Sequence, residues 1–385
     1  MKITRVEAIP LKLPLKKPML MGGRRYEWAE TVLVRLETTG RLAGWGEAPV
    51  APILSGETVA SILAAIPILA EQIIGSDPRN LVSLSKRFRR AIYGNTAAKA
   101  AIDIALYDVV GRQIGWPVHR LLGGAAVDRL DCLWLVGNSD PVRDLAETEI
   151  MAKDGFRCFK LKVANGDLDE EAHTLSAMRS QFGNKILLCA DANTNWSVAE
   201  AIRFVRLVAQ ASPDFLEQPV ASDDLDGLRR VARASRVPIG ADESLHDLTG
   251  MRHMIESGAA MGGSFKIMKF EGIAQCFSVI QLCRALGGEV NLSGKLGETS
   301  VANAATLALA AAIGQPSWGL SLTNHYLSDD VVRNPIAISE GSIRPLDEPG
   351  LGIVMSESKI ANFESWPSPR VQEDLKTAGA FSPTP

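Results

Sequence analysis

The chain has 385 residues, of which 46% are hydrophobic and 22% charged, and its formal net charge is −3. This composition is typical of a globular protein, and the length allows a barrel-sized domain beside a smaller one. The small net charge and the absence of a long basic run argue against nucleic acid or an anionic membrane as a partner. Five cysteines without a C-x-x-C pair favour buried reduced thiols over disulfides or a zinc site. The N-terminus alternates like a strand and lacks a signal-peptide pattern, so we expect a cytoplasmic protein.

The first part of the chain mixes strand and helix patterns, which predicts an N-terminal α+β domain over residues 1–125. Strand-like alternation occurs at residues 3–9, 31–38 and 44–48. Helical periodicity follows over residues 57–74 and 96–114, and the second helix is expected to end at Gly115-Trp116-Pro117. The segment MLMGGRRYEW, residues 19–28, carries paired glycines and paired arginines and is predicted to be a mobile loop.

From about Leu130 short β-rich runs alternate with helical stretches. The runs are LDCLWLV, CFKLKV, ILLCADA, DFLEQ, PIGADE, SFKIMK, EVNLSG and WGLSLT. Parallel strands separated by helices predict an α/β fold, a (β/α)7-8 TIM-type barrel over residues 126–327, rather than an open doubly wound sheet. No G-x-G-x-x-G motif opens any of these helices, which argues against a dinucleotide-binding fold.

Two further segments, an apolar stretch within the barrel region and the C-terminal residues, can also be interpreted. The longest apolar stretch, residues 301–313, is too short to span a bilayer and is predicted to be a buried Ala-rich helix. Residues 328–385 are expected to pack back on the N-terminal domain, with a strand at 353–362. The Pro- and Ser-rich end is expected to be frayed.

Three acidic residues end successive β-rich runs at nearly equal intervals. They are Asp191, Glu217 and Asp242, and the intervals are 217 − 191 = 26 and 242 − 217 = 25 residues, about one strand plus one helix. The carboxyl ends of neighbouring barrel strands lie roughly 5 Å apart at the active-site face, so the three carboxylates should converge. A hard cation such as Mg²⁺ would relieve their repulsion. One such acid alone would more simply be a helix N-cap, but three in register with flanking lysines favour a site.

Lysines end the β-rich runs on either side of these acids. Lys160 and Lys162 are two residues apart and share one face of a strand, and Lys266 stands between two apolar residues in the same way. Because the outer face of a barrel strand packs on helices, we expect these lysines to point inward. Desolvation and a neighbouring ammonium should lower their pKa toward neutrality, which would make them usable bases. A solvated side chain is expected instead for Lys153 and Lys269.

The chain resembles the enolase superfamily, and more narrowly the muconate lactonizing branch of the mandelate racemase group. The resemblance rests on the order K-x-K (160–162), D-A-N (191–193), E-Q-P (217–219), A-D-E-S (241–244) and K-x-x-K (266–269). Residues 97–124 are similar to that family's linker before the barrel, and the similarity runs from the first strand to about residue 352. It implies that residues 1–125 form the family's α+β capping domain. It implies a Mg²⁺-dependent isomerase that moves a proton α to a carboxylate through an enolate or ene-diolate.

The resemblance also implies roles for individual residues. It places Mg²⁺, or Mn²⁺ in its stead, on Asp191, Glu217 and Asp242, with Asn193 and Glu243 beside the metal. It places Lys162 and Lys266 on opposite sides of a small carboxylate substrate as acid and base, with Lys160 supporting Lys162 electrostatically. Which lysine is the acid and which the base stays open. A homo-oligomer is expected on the same ground.

Several loop residues are candidates for substrate contact. Arg24 and Arg25, in the segment that matches the family's capping loop, and Lys295, an additional cation at the barrel mouth, are candidates to meet a second anionic group. A solvated loop charge is the alternative for either arginine. Tyr26 and Trp28 are candidates for an apolar or cation–π lid, and relatives carry an acid near Glu298. Ser321-Leu322-Thr323 occupies the position where dipeptide epimerases carry D-x-D to hold an ammonium group, which argues against a dipeptide substrate.

The reaction is left between alternatives that share this site. Cycloisomerisation of a dicarboxylate such as muconate is preferred. Racemisation or epimerisation of an N-substituted amino acid or betaine is the main alternative, because a lysine pair suits removal and return of one proton. Dehydration, as in o-succinylbenzoate synthesis, comes third, and a non-catalytic binding protein on the same fold comes last. The loops, not the fold, decide the substrate.

Overall fold

A computed structural model describes residues 1–21, 24–365 and 370–372, without the side chains of residues 21, 24 and 370–372. The N-terminal part is an antiparallel sheet of order β14-β1-β2-β3 packed against helices. Its strands are β1 (Ile3–Met21), β2 (Arg24–Thr38), β3 (Ala43–Pro49) and β14 (Arg370–Gln372). Its helices are α1 (Val59–Glu71), α2 (Leu81–Ala91), α3 (Thr96–Ile114) and α4 (Val118–Leu121).

Strands β1 and β2 form a long hairpin that contains most of the predicted mobile loop. Met19 pairs with Tyr26 and Leu20 with Arg25, after a register irregularity between Pro14 and Met19. The loop prediction was therefore wrong for residues 19–21 and 24–28. Cross-strand pairing satisfies the backbone hydrogen bonds of this segment. Its glycines and charged residues are typical of a loop, so the sequence did not indicate the pairing. The two glycines at 22 and 23 lie outside the described residues.

Helix α3 lies directly on β3 because two glycines of the strand leave room for it. A Cβ on Gly46 would stand 1.8 Å from the carbonyl oxygen of Ala101, and one on Gly44 would stand 2.2 Å from that of Ala105. The helix is buried along most of its length. The backbones therefore approach to a distance that no larger residue permits.

We expect Gly46→Ala to lower the free energy of unfolding by about 3 kcal/mol, because the added methyl collides with helix backbone that cannot move alone. Chemical denaturation of the variant against the parent measures this. Gly40→Ala is the matched control, since only Thr38 Oγ1, at 4.0 Å, lies near its added Cβ. Equal losses in the two variants would contradict the close-approach explanation.

Among the described residues, eight parallel strands form one sheet of order β12-β11-β10-β9-β8-β7-β6-β5. A parallel bridge between Cys132 and Leu320 brings its two ends together, so the sheet is a near-closed barrel, as predicted. The strands are β5 (Leu133–Val136), β6 (Cys158–Lys162), β7 (Leu187–Asp191), β8 (Phe215–Glu217), β9 (Ile239–Ala241), β10 (Gly262–Phe265), β11 (Glu289–Ser293) and β12 (Leu320–Ser321). The short strands β4 (Leu130–Asp131) and β13 (Ser342–Ile343) pair with each other outside the barrel.

Helices alternate with these strands and cover the barrel. They are α5 (Pro141–Lys153), α6 (Leu168–Phe182), α7 (Val198–Leu207), α8 (Leu225–Ala234), α9 (Leu248–Glu256), α10 (Ile273–Ala285) and α11 (Ser300–Ile313). Helix α11 is the Ala-rich helix and is buried on nearly all sides, as expected. Each of the five cysteines is buried and free. No helix in the described part of the chain is long and apolar enough to cross a membrane.

The C-terminal segment returns to the N-terminal sheet, but not through the residues predicted. Residues 353–362, expected as a strand, mostly lie in helix α12 (Glu357–Phe363), whose Ile360 is buried. The returning strand is β14, which pairs with Arg5, Val6 and Glu7 of β1. The predicted strand was wrong because its short apolar pattern fits a helical face as well. Residues 373–385, predicted to fray, lie outside the described residues, and the domain limits at 125 and 327 stay predictions.

Helix α3 also ties the N-terminal part to the barrel next to β10. Lys99 pairs with Glu271 at 2.8 Å, and the Asp103 carboxylate accepts a hydrogen bond of 2.7 Å from the backbone N–H of Ile273, the first residue of α10. Burial raises the pKa of Asp103 to about 7, although the backbone N–H groups of α10 oppose this. A group with a raised pKa in the folded state stays uncharged there while it ionises in the unfolded chain.

We expect Asp103 to cost stability as the pH rises from its ordinary pKa of 3.8 to about 7. Asp103→Asn keeps an acceptor for Ile273 but does not ionise. The melting temperature of the variant relative to the parent should therefore be higher at pH 7.5 than at pH 5. Asp128→Asn, at an exposed acid, is the control. A difference that does not change between the two pH values would show that Asp103 titrates normally.

Candidate active site

Charged side chains gather at the carboxyl ends of five consecutive barrel strands. Lys162, Asp191 and Glu217 are the last residues of β6, β7 and β8, and they stand beside one another in register. Asp242 directly follows β9 and Lys266 directly follows β10. All five side chains are buried, with at most 9% of any residue exposed. Barrel enzymes carry their active sites at this end of the strands.

Each of the three acids accepts a hydrogen bond from a buried lysine. Lys162 Nζ lies 2.5 Å from Asp191 Oδ2. Lys160 donates to Glu217 in the same manner, and Lys266 donates to Asp242. Burying ion pairs carries a desolvation cost that a well-packed apolar core would avoid. Such a set of buried charges is therefore poor evidence for stability and typical of a functional site.

The lysines Lys162 and Lys266 lie on opposite sides of this group. Strands β6 and β10 are separated by β7, β8 and β9 on one side of the near-closed ring and by the remaining barrel strands on the other. The carboxylates of Asp191, Glu217 and Asp242 occupy the strand ends between them. A flat substrate carbon held in the centre would present one face to each ammonium group.

Lys269 belongs to the same cluster, contrary to the expectation of a solvated side chain. Its side chain is fully buried, and its ammonium donates to Asp242 Oδ1 at 2.7 Å, to the Asp242 carbonyl at 2.7 Å and to the Ser264 carbonyl at 2.8 Å. Asp242 is thus held from both sides, by Lys266 and Lys269. The K-x-x-K spacing could have indicated this position, because residues 267–270 form a 3₁₀ turn that places the second lysine on the same side as the first. Lys153 is exposed as predicted.

Amide side chains orient the charged groups. Asn193 Oδ1 accepts from Lys162 at 3.0 Å, and Asn193 Nδ2 donates to Glu243 Oε1 at 3.1 Å. Gln218 Oε1 accepts from the backbone N–H of Asp242 at 2.9 Å. Asn193 and Glu243 therefore stand beside the acids to which the resemblance assigns the metal.

A further amide, Asn291 in β11, was missed by sequence reasoning. Its Oδ1 accepts from Lys160 at 3.2 Å and from Ser264 Oγ at 3.0 Å, and its Nδ2 donates to the carbonyls of Trp318 and Gly319. The bonds to Ser264 and to the two carbonyls fix the amide, whose oxygen accepts from Lys160. An Asn within an apolar strand run was the available signal.

The pKa shifts reflect how tightly these charges are packed. Burial raises the pKa of Glu217, and the charge of Asp191 raises it further. Burial raises the pKa of Glu243 to about 8, with Asp242 as the next cause. For Asp242, burial works against ionisation, but Lys266 and Lys269 outweigh it and hold the pKa well below the ordinary value.

The expectation of a lowered lysine pKa is not met at Lys266. Burial acts to lower its pKa, but the charges of Asp242 and Glu217 raise it above the ordinary value. The same holds for Lys160 beside Glu217. The prediction counted the neighbouring ammonium groups and burial, whereas the carboxylate paired with each lysine dominates. Lys269, with another ammonium close by, does have a lowered pKa, chiefly through burial.

The donor set fits a hard divalent cation. Within the described ranges no three His, Cys, Asp or Glu side chains are grouped closely enough to hold a metal as they stand, since the acids are turned toward lysines. Asp191, Glu217 and Asp242 nevertheless offer carboxylate oxygens from adjacent strand ends, the donors that Mg²⁺ and Mn²⁺ prefer. Glu243 Oε2 beside them is buried and has no hydrogen-bond partner in the described structure.

A cavity opens above these charges between the barrel and the N-terminal part. Tyr26 and residues 50–54, which follow β3, cover it from the N-terminal side, and Leu135 and residues 293–296 form its walls. The three acids, Glu243 and the lysines at 160, 162 and 266 line it as well, as does Ser321, whereas Lys269 does not. The sequence predicted Tyr26, Lys295 and Ser321 as substrate contacts. It missed the apolar segment 50–54, whose run APIL was the available signal.

Among the other predicted contacts, those whose side chains the structure describes do not line the cavity. Thr323 donates to the Lys295 carbonyl at 2.8 Å and so lies behind that residue. Glu298 is buried, with its Oε2 unpaired in the described structure and its pKa raised to about 8, first by burial. Trp28 is half exposed beneath Lys12 and does not reach the cavity. The Arg24 side chain lies outside the described residues.

Comparisons with known proteins agree with this architecture. Residues 3–123 match the family described as mandelate racemase / muconate lactonizing enzyme, N-terminal domain, and residues 142–359 match enolase C-terminal domain-like. The chain is 31% identical to L-Ala-D/L-Glu epimerase of Bacillus subtilis, over 92% of this chain and 97% of that protein. It is 30% identical to a chloromuconate cycloisomerase of Cupriavidus pinatubonensis, over 93% and 98%.

Solved structures give the same result. The crystal structure of N-succinyl Arg/Lys racemase from Bacillus cereus superposes with a TM-score of 0.91 at 27% identity, covering 97% of this chain and all of that one. Muconate lactonizing enzyme from Pseudomonas fluorescens, in complex with muconolactone, superposes with a TM-score of 0.90 at 28% identity, over 94% and 99%. The chain therefore belongs to the enolase superfamily, in the mandelate racemase and muconate lactonizing enzyme group, and is an isomerase of that group.

Proposed function

We propose that the chain catalyses a Mg²⁺-dependent isomerisation that moves a proton at the carbon α to a substrate carboxylate, through an enolate or ene-diolate. The observation that carries the proposal is the pair of buried lysines, Lys162 and Lys266, on opposite sides of three carboxylates at adjacent strand ends. This pair can reach one carbon from two faces. The relatives include both racemases or epimerases and cycloisomerases.

The residues divide the chemistry between them. Asp191, Glu217 and Asp242 would hold Mg²⁺, which when bound supplies positive charge to a substrate carboxylate and stabilises the enolate form. Lys162 and Lys266 carry the proton to and from carbon α. Lys266 needs its carboxylate partner drawn away to act as a base, since the charge of Asp242 raises its pKa.

Cycloisomerisation of a muconate-like dicarboxylate is the first specific candidate. The cavity has an apolar cover, at residues 50–54, and a cation on its wall, Lys295. These features suit an unsaturated chain with a carboxylate at each end. One lysine would then protonate the enolate carbon left by ring closure, and the other would orient the substrate by its charge.

Racemisation or epimerisation of an N-substituted amino acid is the second candidate, favoured by the opposition of the two lysines. One lysine would remove the α-proton from one face, and the other would return a proton to the opposite face. The relative from Bacillus cereus, an N-succinyl-L-Arg/Lys racemase, is 28% identical over 94% of this chain. N-succinyl amino acids also carry two carboxylates, so Lys295 is compatible with either candidate.

The two candidates are separated by their products. The protein is incubated with Mg²⁺ in D₂O, with cis,cis-muconate in one series and single enantiomers of N-succinyl and N-acetyl amino acids in the other. Loss of the diene absorbance indicates cycloisomerisation, and deuterium at carbon α with loss of optical rotation indicates racemisation. EDTA should stop either reaction. If a wide set of carboxylates shows no deuterium incorporation and no ring closure with Mg²⁺ present, the proposed function is wrong.

A further inference from the structure

Two polar side chains at the end of β11 have no part in the proton transfer. Ser293 and Lys295 are two residues apart, and both line the cavity. Ser293 is 4% exposed, and its hydroxyl has no hydrogen-bond partner among the described residues. A buried hydroxyl left unpaired carries a desolvation cost, so a group that enters the cavity and accepts its hydrogen bond would be favoured.

The backbone at Lys295 is held in place. Its carbonyl accepts hydrogen bonds from Thr323 Oγ1 at 2.8 Å and from the backbone N–H of Glu298 at 3.1 Å. The turn at residues 295–298 is therefore anchored to the segment that follows β12 before any substrate enters. A fixed backbone limits the positions open to the ammonium group and reduces the entropy lost when it binds an anion.

The charge of Lys295 is not neutralised by a partner in the described structure. Burial lowers its pKa, and the acids Glu298, Glu30 and Glu47 oppose this without forming an ion pair with it. The Glu47 carboxylate is already engaged by Thr31, Thr299 and the start of α11. Burial raises the pKa of Glu298 to about 8, and Glu30 is exposed to solvent.

We propose that Ser293 and Lys295 form a subsite for a second carboxylate of the substrate, the Ser293 hydroxyl donating a hydrogen bond and the Lys295 ammonium forming an ion pair. This rests on the proposed function, because it takes the first carboxylate to lie at the three acids and their metal. It deepens that function by naming the substrate class as dianionic. A charged acceptor in a partly desolvated cavity gains more from such contacts than a neutral one.

Binding of simple acids tests the subsite without knowledge of the natural substrate. Linear dicarboxylates from succinate to suberate are titrated calorimetrically in Mg²⁺ against monocarboxylates of equal length. We expect at least one dicarboxylate to bind tenfold or more tightly than its monocarboxylate. Lys295→Met should remove that preference and leave monocarboxylate binding unchanged, and Ser293→Ala should reduce it several-fold. Lys153→Met and Ser278→Ala, at exposed positions on α5 and α10, should keep it.

Two outcomes would overturn the subsite. One is the absence of any dicarboxylate preference in the parent protein, and the other is a preference that survives in Lys295→Met. A structural role for Lys295 would instead lower the melting temperature and weaken both acid series equally, which also contradicts the proposal. Failure of the proposed function is seen separately, as acid binding that does not depend on Mg²⁺ and as absence of α-proton exchange.

Discussion

Lys266→Ala and Lys162→Ala are each expected to lower kcat by about 10²- to 10⁴-fold with any substrate that requires both faces of carbon α, the range ascribed to a positioned acid or base. Each variant keeps the other lysine and all three acids, so substrate binding should change little. The measurement is steady-state turnover of the substrate identified in D₂O. Lys153→Ala, on the exposed face of α5, should retain the parent's kcat.

The two lysine variants should differ in stability, because only one of them leaves its carboxylate partner with a second lysine. Asp242 keeps Lys269 at 2.7 Å when Lys266 is removed, whereas Asp191 loses the ammonium of Lys162. A buried charge that loses its partner typically costs about 3 kcal/mol or more. Lys162→Ala should therefore melt at a lower temperature than Lys266→Ala. Parent-like turnover in either variant would remove that lysine from the mechanism.

Glu217→Gln is expected to weaken Mg²⁺ binding by about 100-fold or more, since it removes the charge of the central acid of the three. The substitution also leaves Lys160, which is 3% exposed, with only the oxygen of Asn291 and a neutral amide beside it. The apo variant should therefore be less stable than the apo parent. Turnover should fall with metal affinity and recover in part at high Mg²⁺.

The affinity is measured without catalysis, by titrating Mn²⁺ and following the free-ion paramagnetic resonance signal. A second readout is the rise in melting temperature with Mg²⁺, which reports binding to the folded state. Asp226→Asn, an exposed acid on α8, is the charge-matched control. If Mg²⁺ raises the melting temperature of Glu217→Gln as much as that of the parent, the metal does not lie on these strand ends.

The barrel could be predicted because its signals are local and repeated. Every predicted β-rich run became a barrel strand, and the register sets Lys162, Asp191 and Glu217 side by side, as their positions at strand ends indicated. Parallel strands of a barrel all end at the same face. Charged residues that recur at strand ends along the sequence therefore lie close together in the fold. The roles of these residues remain proposals that the variants above test.

The features that escaped prediction depend on contacts distant in sequence. The sequence predicted a surface position for Lys269, but a 3₁₀ turn places its ammonium group within hydrogen-bond distance of Asp242. The raised pKa of Lys266 follows from its carboxylate partner, which sequence spacing does not reveal. The pairing of residues 19–21 with 24–26 and the cover at 50–54 come from the N-terminal part, far in sequence from the barrel strands that line the same cavity. Substrate choice depends on such segments, so it is the least predictable part.

The central claim is that Lys162 and Lys266 act on opposite faces of one carbon. Its most direct measurement is α-proton exchange by ¹H NMR in D₂O with Mg²⁺, using each enantiomer of an accepted substrate with Lys162→Ala and with Lys266→Ala. The account predicts that each variant exchanges the α-proton of one enantiomer only, and that the two variants act on opposite enantiomers. Exchange of the same enantiomer by both variants, or of both enantiomers by either, would contradict it.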